Sequence, residues 1–140
     1  AIRDVYKRQS VTGVIPEQLV DLELAHPGLT SLEVVETMAE RKTRMENLAD
    51  AYICLPGGVG TLEELAEVLT MQQLGHVTGP VGLVDTEGFW RPFVDMFAAM
   101  SKAGFVQRRF VDALVLAPTP VAVLEGFEGW VNPGIKWNNK

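Results

Sequence analysis

A glycine-rich loop between a strand-like and a helix-like segment holds the residues best suited to chemistry. Residues Pro56–Glu64 read PGGVGTLEE, and the apolar run Ala51–Leu55 precedes them. Because glycine lacks a Cβ, the backbone of this loop can approach a ligand closely. The free N–H groups and the positive dipole end of the following helix favour an anion such as phosphate. The pattern therefore indicates an anion-binding loop at the carboxyl end of a strand, where α/β sheets bind ligands.

The same loop also has a purely structural interpretation. Thr61 and Glu64 match the S/T-x-x-E capping box, in which the Thr61 side chain caps the helix and Glu64 bonds back to the cap N–H. Glycines before a cap also occur in simple turns. The local pattern by itself leaves both interpretations open.

A second group of charged residues lies on the segment before this loop. Apolar residues recur every three to four positions from Leu32 to Leu48, which predicts an amphipathic helix of roughly 18 residues that begins at a T-x-x-E cap at Thr30. Arg41 and Lys42 lie on this helix. Since adjacent helical positions point about 100° apart, only part of the pair can face one ligand.

The elements that would position these residues alternate along the chain. Short apolar runs predict strands, and segments with helical spacing predict the helices between them. This order predicts an α/β fold with a Rossmann-like, doubly wound parallel sheet. The predicted strands are 10–15, 51–55, 81–84 and 113–116, and the predicted helices after the first are 61–74, 90–103 and 121–130.

Composition narrows the class of protein. The 140 residues are 47% hydrophobic, which fits one core-forming domain, and the net charge of -6 argues against a nucleic-acid partner. No apolar run approaches the roughly 18 residues of a membrane span, so we expect no membrane partner. The single cysteine, Cys54, lies in an apolar strand and is expected to be a buried, inert thiol in a reducing cytoplasmic compartment.

Two motifs in register resemble one family. The chain is similar to the LOG ("Lonely Guy") proteins, often mislabelled as lysine decarboxylases, whose motif P-G-G-x-G-T-x-x-E is met by Pro56–Glu64. The family's second motif, M-x-x-R-K-x-x-M, is met by Met38, Arg41, Lys42 and Met45. The resemblance covers about residues 11 to 130.

The resemblance implies an enzyme that hydrolyses the N-glycosidic bond of a nucleoside 5′-monophosphate, such as a cytokinin riboside monophosphate or an AMP-like nucleotide. It also implies that this enzyme is a homodimer and that the reaction needs neither a cofactor nor a metal. The resemblance matches Arg41 and Glu64 to catalytic positions. Lysine decarboxylation is disfavoured, because Lys42 beside Arg41 fits an anion contact better than a pyridoxal attachment site. The positions matched to substrate binding are Glu23, Lys42, Gly58, Val59, Gly60, Thr61, Leu62, Glu63 and Thr70.

The chain departs from the family pattern at its beginning. The family's upstream loop, G-G-G-x-x-G-L-M-G, has no counterpart before Ser10, so we expect a domain truncated at its N-terminus. The predicted organisation is a non-native segment at 1–9, a partial family domain at 10–131 and a polar, frayed tail at 132–140. Two alternatives to the enzyme stay open: a non-catalytic nucleotide-binding module of the same superfamily, and an inactive fragment.

Overall fold

The computed structural model describes residues 9–20 and 28–137. The chain divides into two compact units, Ala1–Ala49 and Asp50–Lys140. The glycine loop belongs to the second unit, and the Arg41–Lys42 pair belongs to the first.

The first unit contains two parallel strands and two helices. Strand β1 spans Thr12–Pro16, helix α1 Glu17–Val20, strand β2 Ser31–Val35 and helix α2 Met38–Leu48. The register of β1 and β2 runs from Thr12 opposite Ser31 to Pro16 opposite Val35.

The prediction of one long helix from Thr30 was wrong. Residues 31–35 form β2 because their backbone pairs with β1, a partner 19 residues earlier that local spacing cannot reveal. The helix begins at a second T-x-x-E pattern, where Thr37 and Glu40 form a complete capping box. The Thr37 hydroxyl accepts from the Glu40 N–H at 3.1 Å, and the Glu40 carboxylate accepts from the Thr37 N–H at 3.3 Å.

The second unit is a three-stranded parallel sheet with its helices. The strand order is β3-β4-β5, so β4 is central, and all four residues of β4 are buried, as expected for the middle strand of a parallel sheet. The elements are β3 (Tyr52–Cys54), α3 (Val59–Leu74), β4 (Val81–Val84), α4 (Arg91–Lys102), α5 (Arg108–Asp112), β5 (Val115–Ala117) and α6 (Pro120–Phe127).

The core of this unit lies between the sheet and the helices α3, α4 and α5. Leu83 in β4 is fully buried and packs with α3 and α4 side chains, while Phe110 brings in α5. Three aromatic rings continue this packing: Trp90 meets Phe93 edge-on, and Phe93 stacks on Phe97. The core members are Leu65, Leu69, Val81, Leu83, Trp90, Phe97 and Phe110.

Local signals define the helix ends in the second unit. Gly75 ends α3 with a left-handed φ of 85°, as predicted. The Thr119 hydroxyl caps α6 by accepting from the Ala122 N–H, and Gly104 follows α4 with a φ of 86°.

The α/β, Rossmann-like fold class is confirmed, since every strand pair in the described residues is parallel and helices connect the strands. The short helix α5 was missed.

The segment 131–137, here called the C-terminal strap, is hydrogen-bonded to two helices. Its backbone is tied to the end of α3, where the Lys136 N–H donates to the Gln73 carbonyl at 2.8 Å. It is also tied to α5, where Arg109 Nη2 donates to the Ile135 carbonyl at 2.7 Å and Gln107 Nε2 to the Lys136 carbonyl at 3.1 Å.

None of the helices in the part of the chain that the structure describes combines the length and the hydrophobicity that crossing a membrane requires.

Candidate active site

The glycine loop passes directly into α3 without a side-chain cap. The helix begins at Val59, with Gly58 as its N-cap residue in an extended conformation (φ −90°, ψ −158°). The first hydrogen bond of the helix runs from the Leu62 N–H to the Gly58 carbonyl at 3.1 Å. By helix geometry the N–H groups of residues 59–61 therefore lack an acceptor within the helix and are available to an anion.

The structural alternative for the loop, a capping box at Thr61 and Glu64, is not formed. The helix starts three residues earlier than that box requires, so Thr61 lies inside the first turn, and no side chain caps the N-terminus of α3. Gly58 has no side chain with which to cap. The purely structural interpretation of Glu64 as a cap partner is thereby removed.

The three glycines of the loop differ in their surroundings. A Cβ added at Gly57 would collide with the side chain of Thr61, so Gly57 is required for close packing inside the loop. A Cβ added at Gly58 or at Gly60 would meet nothing within 4 Å. The space above these two glycines is open, as a loop that receives a ligand against its backbone requires.

Glu64 lies on the same face of α3 as Gly60 and Thr61, because residues three and four apart are neighbours on a helix. It is half-buried and close to Cys54 at the end of β3. Burial, and secondly the negative charge of Glu64, raise the pKa of the Cys54 thiol to about 11. The Glu64 charge thus acts on the Cys54 thiol at the end of β3. Cys54 is half-buried rather than buried as predicted, and its raised pKa favours the protonated thiol at neutral pH.

The remaining loop residues differ in their exposure to solvent. Val59 is 85% exposed, Leu62 and Glu63 are also exposed, and Thr61 is half-buried against Gly57. The structure therefore brings Gly58, Val59, Gly60, Thr61, Leu62, Glu63 and Glu64 together over one and a half helical turns.

One predicted site residue, Thr70, lies away from this loop. Thr70 lies on α3 about 16 Å along the helix axis from its first residue, and its hydroxyl donates to the Ala66 carbonyl at 2.8 Å. A ligand at the loop would reach Thr70 only by extending along the helix. Glu23 lies outside the described residues.

Arg41 and Lys42 lie in the first half of α2 and are both half-buried. The Nε atom of Arg41 is buried and has no hydrogen-bond partner within residues 9–20 and 28–137. A buried guanidinium nitrogen without a partner loses its hydration without compensation, so this group favours an added acceptor.

Arg44, one turn further along α2, has a structural role instead. Its Nε and Nη2 donate to the two carboxylate oxygens of Glu33 in β2 at 2.5 and 2.9 Å. The Arg44 hydrogen bond lowers the pKa of the Glu33 carboxyl, and the same bond raises the pKa of the Arg44 guanidinium. This two-bond contact joins β2 to α2.

Sequence reasoning missed an ion pair at the carboxyl end of β4. Asp85 follows the strand directly, and only 4% of its side chain is exposed. Its Oδ2 accepts from Arg91 Nε at 2.7 Å, and its Oδ1 accepts from the Trp90 N–H at 2.8 Å. The signal in the sequence was an aspartate at the carboxyl end of a predicted parallel strand, where ligand sites form.

The described residues contain no group of three or more His, Cys, Asp or Glu side chains placed to hold a metal ion.

Comparison with known proteins assigns the chain to a family. The model of a family described as possible lysine decarboxylase matches residues 2–127. The chain belongs to this family. The matched range includes both motifs, with Arg41 and Glu64.

Curated relatives carry a different activity in their names. A cytokinin riboside 5'-monophosphate phosphoribohydrolase of Oryza sativa subsp. japonica is 38% identical over 133 residues, which cover 93% of this chain and 55% of the relative. A probable enzyme of the same name from that species is 39% identical over 118 residues, covering 84% and 48%. One from Arabidopsis thaliana is 39% identical over 121 residues, covering 86% and 57%. The chain thus spans about half the length of the curated relatives it matches.

Proposed function

We propose that this family member hydrolyses the N-glycosidic bond of a nucleoside 5′-monophosphate, either a cytokinin riboside monophosphate or an AMP-like nucleotide. The products are a free base and ribose 5-phosphate. The observation that carries the proposal is the uncapped N-terminus of α3, open above Gly58 and Gly60, with Glu64 one turn away. The names of the relatives support the same reaction.

The reaction adds one water across the bond between the base and C1′ of the ribose. The electron pair of that bond leaves with the base, and positive charge builds on the ribose ring. The water oxygen bonds to C1′, and one water proton passes to a proton-accepting side chain of the protein. The departing nucleobase takes up a proton. The protein must therefore provide a negative group beside the ribose and hydrogen-bond donors for the phosphate.

We assign the negative group to Glu64. Its carboxylate stabilises the oxocarbenium-like transition state or accepts the proton of the attacking water. Its position on the same helical face as Gly60 supports this role, because a phosphate held by the N–H groups of residues 59–61 leaves the attached ribose within reach of the next turn.

We assign Arg41 to the other catalytic position and Lys42 to substrate binding. A guanidinium binds phosphate through two parallel hydrogen bonds or places positive charge beside a departing base. The partnerless Nε of Arg41 supports an anionic ligand at this residue. The further substrate-binding residues in this proposal are Glu23, Val59, Leu62, Glu63 and Thr70. Val59 is the exposed apolar residue among them.

We further propose that the enzyme acts as a homodimer in the cytoplasm. Several apolar side chains are more than half exposed in the second unit, which supports association with another copy. Light scattering of the purified chain would give a mass near 31 kDa, twice 15.4 kDa, if the dimer forms; a mass of one chain contradicts it.

The activity is tested directly by following free base. The purified chain, and a version extended at its N-terminus by a glycine-loop segment of the family, are incubated with AMP and with isopentenyladenosine monophosphate, and the free base is measured by chromatography. Release by either version supports the reaction. If neither releases base but nucleotide still binds, the protein is a non-catalytic binding module, and if nucleotide does not bind either, the chain is an inactive fragment.

The role of Glu64 is tested by Glu64→Gln in whichever version is active. We expect kcat to fall about 100-fold to 10,000-fold, the range for loss of a general base, while the far-ultraviolet circular dichroism stays unchanged. The matched control is Glu125→Gln, at an exposed position of α6, which should retain full turnover. Normal turnover by Glu64→Gln would disprove the assignment.

A further inference from the structure

The ion pair of Asp85 and Arg91 differs from an ordinary surface contact. The carboxylate is buried, and both of its oxygens are occupied, one by Arg91 Nε and one by the Trp90 N–H. Arg91, by contrast, is 68% exposed. A buried carboxylate that holds an exposed guanidinium restricts the cation to few orientations, so little conformational entropy is lost when the cation binds something else.

This pair lies at the carboxyl end of β4, and the glycine loop follows the carboxyl end of the neighbouring strand β3. Strands β3 and β4 are parallel neighbours, with Cys54 opposite Leu83. The paired register ends there; when it is extended by two positions, Asp85 comes opposite Pro56, the first residue of the loop. Because adjacent strands are about 4.8 Å apart, we expect the Arg91 guanidinium that Asp85 holds to lie beside the start of the loop. All of these residues belong to the unit Asp50–Lys140.

The contact uses only one of the three guanidinium nitrogens. Arg91 binds Asp85 through Nε, and within the part of the chain that the structure describes no protein group binds its terminal nitrogens. Arg44 is the opposite case, since its Nε and Nη2 both bind Glu33. Arg91 therefore keeps a two-nitrogen fork, the geometry that binds phosphate oxygens through parallel hydrogen bonds.

We infer that Arg91 is a substrate-binding residue that contacts the phosphate group of the ligand held by the glycine loop, and that Asp85 is the residue that positions it. This inference rests on the proposed function, because it needs a phosphate at the loop. The loop supplies N–H dipoles without a full positive charge, and Arg91 at the start of α4, held by the Asp85 that follows β4, supplies that charge. In a protein with a net charge of -6, a local cation also opposes the repulsion of an anionic substrate.

The test isolates the phosphate end of the substrate. Ribose 5-phosphate carries the phosphate and has no glycosidic bond to break, so its Kd can be measured by calorimetry whether or not the chain is active. We expect Arg91→Gln to weaken its binding about tenfold, the effect of losing one charge-assisted contact of 1.4 kcal/mol. Arg91→Lys, which keeps the charge and loses the fork, should recover part of that affinity.

Arg108→Gln is the matched control. Arg108 also donates through Nε to an aspartate, Asp112, at 2.7 Å, and it is 73% exposed. It lies on α5, which leads into the amino end of β5 and hence toward the opposite edge of the sheet. Its substitution should leave the Kd for ribose 5-phosphate within about twofold, since surface pairs of this type contribute little.

A double substitution tests whether Asp85 acts through Arg91. Asp85→Asn keeps an oxygen for the Trp90 N–H and loses the charge that holds Arg91, so alone it should weaken binding. In the Arg91→Gln background it should cause no additional loss. If Asp85→Asn weakens ribose 5-phosphate binding as much in the Arg91→Gln background as in wild type, Asp85 supports the fold and does not act through Arg91.

The outcomes separate the two proposals. If wild type binds ribose 5-phosphate and Arg91→Gln binds it equally well, the inference is wrong while the proposed function stands. If wild type does not bind ribose 5-phosphate at millimolar concentration, the inference is also overturned, and the base-release assay decides the proposed function independently.

Discussion

At the scale of single residues, the site is defined by where side chains are missing. Gly57 is required by the packing of Thr61, whereas a Cβ at Gly58 or Gly60 would meet only open space. Glycine within a helix reduces stability relative to alanine, because the unfolded chain has more freedom to lose. Gly60 lies within the first turn of α3, so it costs stability without relieving any contact inside the chain.

This difference makes Gly60→Ala a specific test of the loop. We expect the substitution to raise the free energy of unfolding by about 0.5–1 kcal/mol and to weaken nucleotide binding, because the added methyl group occupies the space of the ligand. Thermal unfolding and the Kd for AMP are the two measurements.

Gly57→Ala serves as the comparison for Gly60→Ala. It should lower stability, because the new Cβ collides with the Thr61 side chain. If Gly60→Ala stabilises the protein and leaves AMP binding unchanged, the glycines are turn residues and the loop does not receive the ligand.

The Cys54 thiol reports the position of Glu64. Its pKa of about 11 lies above the ordinary value of 9.0, chiefly because of burial and then because of the Glu64 charge. We expect Glu64→Gln to lower this pKa, so that alkylation between pH 8 and pH 10 becomes faster than in wild type. The Glu125→Gln variant should react like wild type, and equal rates for all three would place Glu64 away from the thiol.

The same shift has a consequence for stability. The folded protein favours the protonated thiol, so the stabilisation from this site is complete below the unfolded pKa of about 9 and is lost as pH rises through about 11.

At the scale of elements, α3 is held at both ends by different means. Its N-terminus is uncapped and faces the loop, while its C-terminus ends at Gly75 and is completed by the C-terminal strap. The Lys136 N–H satisfies the Gln73 carbonyl, one of the last four carbonyls that have no partner within a helix. The Ile135 side chain lies against Gly75, where a Cβ would collide with it.

The strap should therefore stabilise the end of α3. We expect Ile135→Asp to lower the free energy of unfolding by about 1–2 kcal/mol and to speed amide hydrogen exchange at residues 71–77, because the contact with Gly75 and the neighbouring hydrogen bonds loosen.

Trp137→Ala is the control for the strap. Trp137 is 73% exposed, so its loss should change stability by less than about 0.5 kcal/mol. Unchanged exchange in α3 of Ile135→Asp would mean that the strap lies on the helix without stabilising it.

At the scale of the whole molecule, the catalytic assignment divides between two units. Arg41 belongs to Ala1–Ala49, and Glu64 belongs to Asp50–Lys140 together with the buried core. The loop, Glu64 and the Asp85–Arg91 pair all lie in the second unit, so the binding of ribose 5-phosphate to these residues tests that unit by itself.

The features that local pattern predicted correctly are those that depend on near neighbours. Val81–Val84 was predicted as a strand because an uninterrupted apolar run suits the buried middle of a parallel sheet, and it is β4. Gly75 as the end of α3 and Thr119 as the cap of α6 follow from the chemistry of single residues. The two motifs in register, at Pro56–Glu64 and at Met38–Met45, were enough to identify the family.

Other features depend on contacts between distant residues and could not be predicted from neighbours. Ser31–Val35 has helical spacing, yet it is a strand because it pairs with residues 12–16. Thr61 matches a cap, yet α3 starts at Val59. Asp85 binds Arg91, six positions later in the chain. The strap residue Lys136 binds Gln73, 63 positions earlier. The physical reason is the same throughout: spacing encodes which side of an element is apolar, whereas hydrogen-bond partners are chosen by the elements that lie beside it.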